Sequence, residues 1–419
     1  MPTDRLKLFL DRLKFLSFIV AIIGSAFSVT LCGVGIGGYL VGLLLEVFWC
    51  RKDDWIVFPQ GRLVVALLAS LVISIFVSDY LMISLRGFWK YLEGFILLYA
   101  AMDVLRSSKR FGWVLAVLAG VSFIAAFDGV FQDWFGRDFV YWRTAVPYQG
   151  DILRVTGPFK HSNDYATFLV PSCLLLTACL VYGLIRRKGL LVLLNVFMLI
   201  IFAYALTRSM SRAALLSVFT SLGVFCLFSR KRWWLLAVVG FCAGLLFVIP
   251  SALNVRMREL FDWTAGNIPE RLILIKTTWA MVQSNPFFGL GLNTYSEHFA
   301  DFRPADYGDV MYAHNSYLQM ASEFGLVGLL LFCLMIVSFL VYFLKGIHRA
   351  GDPFYRMVGM GLLIGIIGFL VNSLFDSCFQ ATRLRTIFWI FMGLASALTT
   401  HAYYAKSNGP SREKSWLRP

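Results

Sequence analysis

Apolar segments of roughly 20 residues, repeated from Phe15 almost to the end of the chain, are the feature that most limits what this sequence can fold into. In lipid each must be a helix, because every backbone N–H and C=O has to find its partner within its own segment. Candidate spans begin near Phe15, Gly33, Leu63, Phe88, Phe111, Asp164, Leu190, Arg212, Trp233, Gly325, Met357 and Leu384. Composition agrees: 59% of the 419 residues are hydrophobic and 15% are charged, against about 25% charged in an ordinary soluble domain. The expected fold is an all-α polytopic membrane protein of about twelve transmembrane helices.

The least defined boundary separates the first two spans, where Cys32 to Gly38 offers turn residues but no charge. If those spans were one re-entrant element, every later orientation would reverse. Basic residues decide the matter, because short cytoplasmic loops carry an excess of Lys and Arg. With the N-terminus inside, the inward segments hold Arg5, Lys7, Arg12 and Lys14; Arg51, Lys52 and Arg62; Arg106, Lys109 and Arg110; Arg186, Arg187 and Lys188; Arg230, Lys231 and Arg232; Lys345, Arg349 and Arg356; and Lys406, Arg412, Lys414 and Arg418. These are 23 of the 38 basic residues, so both termini are expected in the cytoplasm and the net charge of +14 is largely topological. No nucleic-acid partner is needed to explain it. The first span reads as a retained signal-anchor. The eight cysteines form no CxxC pair or disulfide framework.

The expected organisation follows. Residues 1–253 hold spans one to nine, with one longer outward loop at 132–163; residues 254–324 form a large outward loop with amphipathic helices; residues 325–405 hold the last three spans; and 406–419 form a cytoplasmic tail. Function is sought in the outward loops, where basic residues oppose the orientation rule. In the short connection Thr207-Arg208-Ser209-Met210-Ser211-Arg212, both arginines have two readings: anchors snorkelling to the headgroups, or binders of a lipid diphosphate. Asn267-Ile268-Pro269-Glu270-Arg271 reads as a helix start, with Leu272, Ile275, Trp279 and Met281 on an apolar side and a stop at Asn285 to Gly291. That helix either caps the bundle or presents Arg271 to phosphate beside free amide donors. In Tyr312-Ala313-His314-Asn315-Ser316-Tyr317, His314 is either an ordinary loop residue or a base able to take a proton near neutral pH, with Tyr312 and Asn315 as substrate contacts. Asp301, Asp306 and Asp309 have no diagnostic metal spacing and read as loop solvation.

Arg212-Ala213-Ala214-Leu215-Leu216 resembles the R-x3-L motif of bacterial O-antigen ligases, and His314 through Gly325 resembles their H-x10-G motif. Arg271, Trp279, Pro286, Gly289 and Gly291 resemble the arginine-to-GxG stretch shared with the related O-antigen polymerases, and Gly157-Pro158-Phe159 with Asn163 resembles a segment before the sixth span. Lys160-His161-Ser162 departs from that pattern. The resemblance covers roughly residues 150 to 330. It implies an inner-membrane glycosyltransferase of the membrane C-type (GT-C) architecture, working without cofactor or metal and inverting the anomeric centre. The implied substrates are undecaprenyl diphosphate-linked O-antigen as donor and lipid A core oligosaccharide as acceptor, at the periplasmic face. It also implies that His314 acts on the acceptor hydroxyl while Arg212 and Arg271, with Arg208 nearby, hold the diphosphate. The alternatives are an O-antigen polymerase, a protein O-oligosaccharyltransferase, and a twelve-span secondary transporter.

Overall fold

The computed structural model describes residues 2–50, 52, 55–149, 152–228, 240 and 268–407. The expected ninth span from Trp233, the basic cluster Arg230 to Arg232, the loop start at Asn254, the cap Asn267 and the tail from 408 lie outside them. Eight helices precede that stretch: α1 (Pro2–Phe27), α2 (Val29–Cys50), α3 (Gly61–Val77), α4 (Leu81–Val104), α5 (Ser108–Phe135), α6 (Ser162–Ile185), α7 (Gly189–Ser209) and α8 (Arg212–Leu227). A small antiparallel hairpin, β1 (Val146–Gln149) and β2 (Ile152–Arg154), lies between α5 and α6, with Val146 opposite Arg154. Then come α9 (Ile268–Ser284), α10 (Tyr295–Phe302), α11 (Ser316–Arg349), α12 (Pro353–Asn372) and α13 (Thr382–Ser407).

Among the described residues six helices are long and apolar enough to cross a bilayer: α2, α5, α6, α7, α11 and α12. Two more, α3 and α8, are apolar but shorter. The expected helix start before Arg271 and its stop after Ser284 coincide with α9.

The first two helices part at Ser28 and not within the run from Cys32 to Gly38. Gly35 and Gly38 in that run serve packing against α1 instead. A Cβ on Gly35 would lie 2.5 Å from Ala21 N and 2.7 Å from Ser17 O, so α1 and α2 form an antiparallel pair with backbones in contact. Small residues at helix interfaces of membrane proteins permit this close approach.

Connections that alternate along the chain meet on two opposite faces. On one, Lys14, Glu46, Lys52 and Asp103 are buried together: Lys14 Nζ lies 2.6 Å from Glu46 and 2.7 Å from Asp103, and Lys52 Nζ lies 3.3 Å and 3.0 Å from the same two carboxylates. Tyr39 Oη and Arg106 also donate to Asp103. Here Arg110 pairs with Asp11, and Phe111 packs on Tyr355 beside the start of α12. Three of the lysines and arginines that follow the orientation rule thus also tie helices together. The connections at 78–80, 136–161, 210–211, 285–315 and 373–381 gather on the other face. There Val155 N donates to Arg208 O, Arg383 Nη1 to Pro158 O, and Ser316 N to Ser373 O.

Candidate active site

Two loops of the second face converge at the start of α11. Asn315 caps that helix, its Oδ1 accepting from the N–H groups of Tyr317 and Leu318, both at 3.0 Å. Immediately before it, His314 adopts a left-handed backbone with φ +50°, uncommon for a residue with a side chain. Its Nδ1 lies 3.0 Å from Asp376 Oδ1, in the connection between α12 and α13. That connection is clamped in turn: Asp376 O accepts from Ser316 Oγ at 2.7 Å, and Cys378 N donates to the same hydroxyl at 2.9 Å. The imidazole is half-exposed while the carboxylate is mostly covered.

A carboxylate only accepts hydrogen bonds, so in neutral His314 the proton is assigned to Nδ1. The Nε2 lone pair is then available to a substrate. Burial pushes the Asp376 carboxyl up, but the hydrogen bond and charge of His314 outweigh it and hold the group below the ordinary carboxylate range. Arg271 adds to that effect from α9. Burial lowers the Arg271 guanidinium from its ordinary value, and repulsion from Arg212 lowers it further against the attraction of Asp376. Arg212 opens α8 behind the cap Ser211, whose hydroxyl accepts from Ala214 N. His314, Asp376, Arg271 and Arg212 therefore form one electrostatic cluster, although they come from four separate parts of the chain.

The other sequence candidates are placed differently. Arg208, at the end of α7, is engaged by Asp133 through Nε at 2.9 Å and Nη2 at 2.6 Å. The left-handed Met210 turns the chain between Arg208 and Arg212, so the two arginines sit on different helices. Tyr312 is half-exposed; burial, then the charges of Asp164 and Glu323, push its hydroxyl up. Asn315 contributes its carbonyl oxygen to the helix cap. Asp309 pairs with Arg303, and Asp301 sits near His298.

Sequence reasoning missed Asp376, Asp164 and Glu323. Asp164, in the first turn of α6, is within electrostatic range of Asp376, His314 and His161. Glu323 is buried and accepts from Gln319 Nε2 at 3.0 Å, Asn293 N at 2.9 Å and Gln380 Nε2 at 3.3 Å. Gln319 Oε1 in turn accepts from Ala313 N and Ser377 Oγ, the neighbours of His314 and Asp376. One carboxylate thus links the loops that carry the histidine and its partner.

The glycines of the two motifs have a common explanation. α11 kinks at Phe324 and Gly325, where Gly325 has φ +75°. The Pro286 to Gly291 loop docks in that kink: Leu326 N donates to Pro286 O at 2.7 Å, Leu290 N to Ser322 O at 2.9 Å and Gly291 N to Glu323 O at 2.9 Å. A Cβ on Gly325 would lie 2.1 Å from Phe287 O, and one on Gly289 would lie 2.5 Å from Glu323 C. Gly289 also has positive φ.

A protein-family comparison covers this same ground. Residues 197–333 match the O-antigen ligase family model, Wzy_C. The O-antigen ligase match runs from within α7 to within α11, so it holds Arg208, Arg212, Arg271, Tyr312, His314, Asn315 and Gly325 but neither Asp164 nor Asp376. The resemblance drawn from the arginine and histidine motifs is borne out over that stretch. The teichuronic acid biosynthesis protein TuaE of Bacillus subtilis (strain 168) is 27% identical over 262 residues, 58% of this chain. The match spans about half of that relative, 51% of its length. With six helices among the described residues apolar and long enough to span a bilayer, the chain is an integral membrane protein of polytopic type.

Proposed function

We propose that this protein is a membrane glycosyltransferase of polysaccharide assembly. In this reading it moves O-antigen glycan from undecaprenyl diphosphate to the lipid A core oligosaccharide at the periplasmic face of a bacterial inner membrane, with about twelve spans and both termini cytoplasmic. The observation that carries the reading is the contact between His314 and Asp376 beside two arginines, within a chain matched to the O-antigen ligase family.

Each group then has a chemical task. Asp376 holds the imidazole by Nδ1 and stabilises the charge it acquires, as a buried carboxylate does for a catalytic histidine elsewhere. His314 Nε2 takes the proton from an acceptor hydroxyl as its oxygen forms a bond to the anomeric carbon. The bond from that carbon to the diphosphate oxygen breaks, and Arg271 and Arg212 neutralise the negative charge that leaves with it. Direct displacement inverts the anomeric centre. Two guanidiniums supply here the charge that a divalent ion supplies in many phosphate-leaving reactions. The test is purified protein in detergent with a labelled undecaprenyl diphosphate glycan and lipid A core. A joined product lost in His314→Ala is the expected result; near-normal product from His314→Ala, Arg212→Ala and Arg271→Ala alike removes the site.

The similarity to a teichuronic acid biosynthesis protein supports polysaccharide assembly in general, and the second reading is growth of a glycan on its own lipid carrier. The same assay separates the two, because polymerisation proceeds with donor alone and ligation requires the core acceptor.

A further inference from the structure

The helix α9 has a second polar side, apart from the one that carries Arg271. Two residues along a helix rotate a side chain by about 200°, and five by about 140° in the next turn. Ile273, Lys276 and Thr277 therefore point away from the side that carries Arg271. They are also set apart from the exposed apolar stripe of Leu272, Ile275 and Trp279, which occupies a third sector. They line an open cavity of about 470 Å³ bounded on its other side by Phe302, Arg303 and Pro304 at the end of α10. That volume falls within the range that holds small ligands.

The lining is specific in character. Lys276 and Arg303 bring two positive charges, Thr277 a hydroxyl, and Phe302 with Pro304 an apolar wall. Arg303 is shared with Asp309 at 3.1 Å, but Asp309 is 77% exposed, and an ion pair with one partner in water is weak and readily exchanged for a ligand anion. A free inorganic anion would use the charges and leave the apolar wall idle. A hydrocarbon would use the wall but strip water from the charges without pairing them. An anionic pyranose uses both, placing its carboxylate or phosphate on the cations and its C–H face on the ring.

We infer that the cavity between α9 and α10 is a subsite for a negatively charged sugar residue, a uronate or a phosphorylated hexose, of the glycan handled at His314. The inference rests on the glycosyltransferase reading. A helix is about 10 Å across, so a saccharide chain bound at Arg271 on one side of α9 reaches Lys276 on the other within a few residues. The subsite would sort glycans by charge without touching the reacting carbon.

Binding measured apart from turnover tests this. Purified full-length protein in detergent is titrated with tetragalacturonate, glucose 6-phosphate and neutral maltotetraose, for wild type, Lys276→Gln, the Lys276→Gln Arg303→Gln double variant and His314→Ala. The expected result is saturable, salt-sensitive binding of at least one anionic sugar, weakened five-fold or more in the double variant and retained in His314→Ala, with maltotetraose binding weakly throughout. Which anion binds tighter identifies the charged group. Equal binding of acidic and neutral sugars, no anionic binding, or a double variant that binds like wild type overturns the subsite. Because His314→Ala lacks the proposed base but keeps the cavity, failure of the transfer reading shows in the activity assay alone.

Discussion

His314 Nδ1 lies 3.0 Å from Asp376 Oδ1 across 62 residues of chain, and the contact couples the loop before α11 to the loop before α13. If Asp376 orients the imidazole and balances its charge, Asp376→Asn keeps the shape and loses the function. Transfer should fall by about 100-fold or more, within the range attributed to general acid–base catalysis, with little change in KM for either lipid substrate. Steady-state kinetics at saturating donor reads this directly; a loss confined to KM would assign Asp376 to binding.

The same contact sets an acid limit on stability. The Asp376 carboxyl is depressed by its histidine partner despite its burial, so it titrates lower in the folded protein than in the unfolded chain. A depressed carboxyl contributes stability above its unfolded value and loses it as pH falls through the folded one. Wild type should therefore melt above Asp376→Asn at neutral pH, and the gap should close as pH drops through and below the carboxylate range. Melting temperatures from pH 7 to pH 3 in one detergent measure the gap; a constant difference refutes the linkage.

The three arginines should separate by partner. Arg212 and Arg271 repel each other near Asp376, whereas Arg208 is bound to Asp133. Replacing either member of the pair with Lys keeps a charge but loses the planar fork that matches phosphate. Arg212→Lys and Arg271→Lys should each lower kcat by about ten-fold or more, one lost transition-state contact of about 1.4 kcal/mol. Arg208→Lys, its charge already occupied, should stay within about three-fold of wild type on the same scale. Comparable losses in all three would return Arg208 to the site.

How much of this was legible differs by kind of signal. Helices announce themselves through apolar runs, and charge alternation sorts their connections onto two faces because lipid acts on every residue of a span alike. His314, Arg212 and Arg271 stood out as polar exceptions to those patterns. Asp376 and Glu323 did not, because their roles arise from pairing over 62 and 30 to 57 residues of separation, which no local pattern encodes. Gly35 and Gly38 misled for a related reason: a glycine needed for helix contact and a glycine needed for a turn look the same in sequence.

Gly325 offers a test of the motif as architecture. Its φ of +75° and the 2.1 Å gap between an added Cβ and Phe287 O leave no room for a side chain. Gly325→Ala must separate α11 from the Pro286 to Gly291 loop, breaking the bonds at Pro286 O, Ser322 O and Glu323 O. The expected outcome is a loss of folded, monodisperse protein on size exclusion. Gly308→Ala, where an added Cβ meets nothing within 4 Å, should behave as wild type.

On the opposite face, Asp103 is the hub of a buried charge network. Lys14, Lys52, Tyr39 and Arg106 all donate to it, and Lys14 and Lys52 are almost fully enclosed. Asp103→Asn keeps the size but removes a carboxylate charge that both buried lysines share. Breaking a buried ion pair by removing one partner costs about 3–5 kcal/mol, because the remaining charge stays desolvated. The variant should therefore unfold at clearly lower temperature or denaturant, while exposed Asp79→Asn should not. Since the network is far from His314, the fraction that remains folded should retain wild-type kcat. A fall in kcat per folded molecule would instead join the two faces in one functional unit.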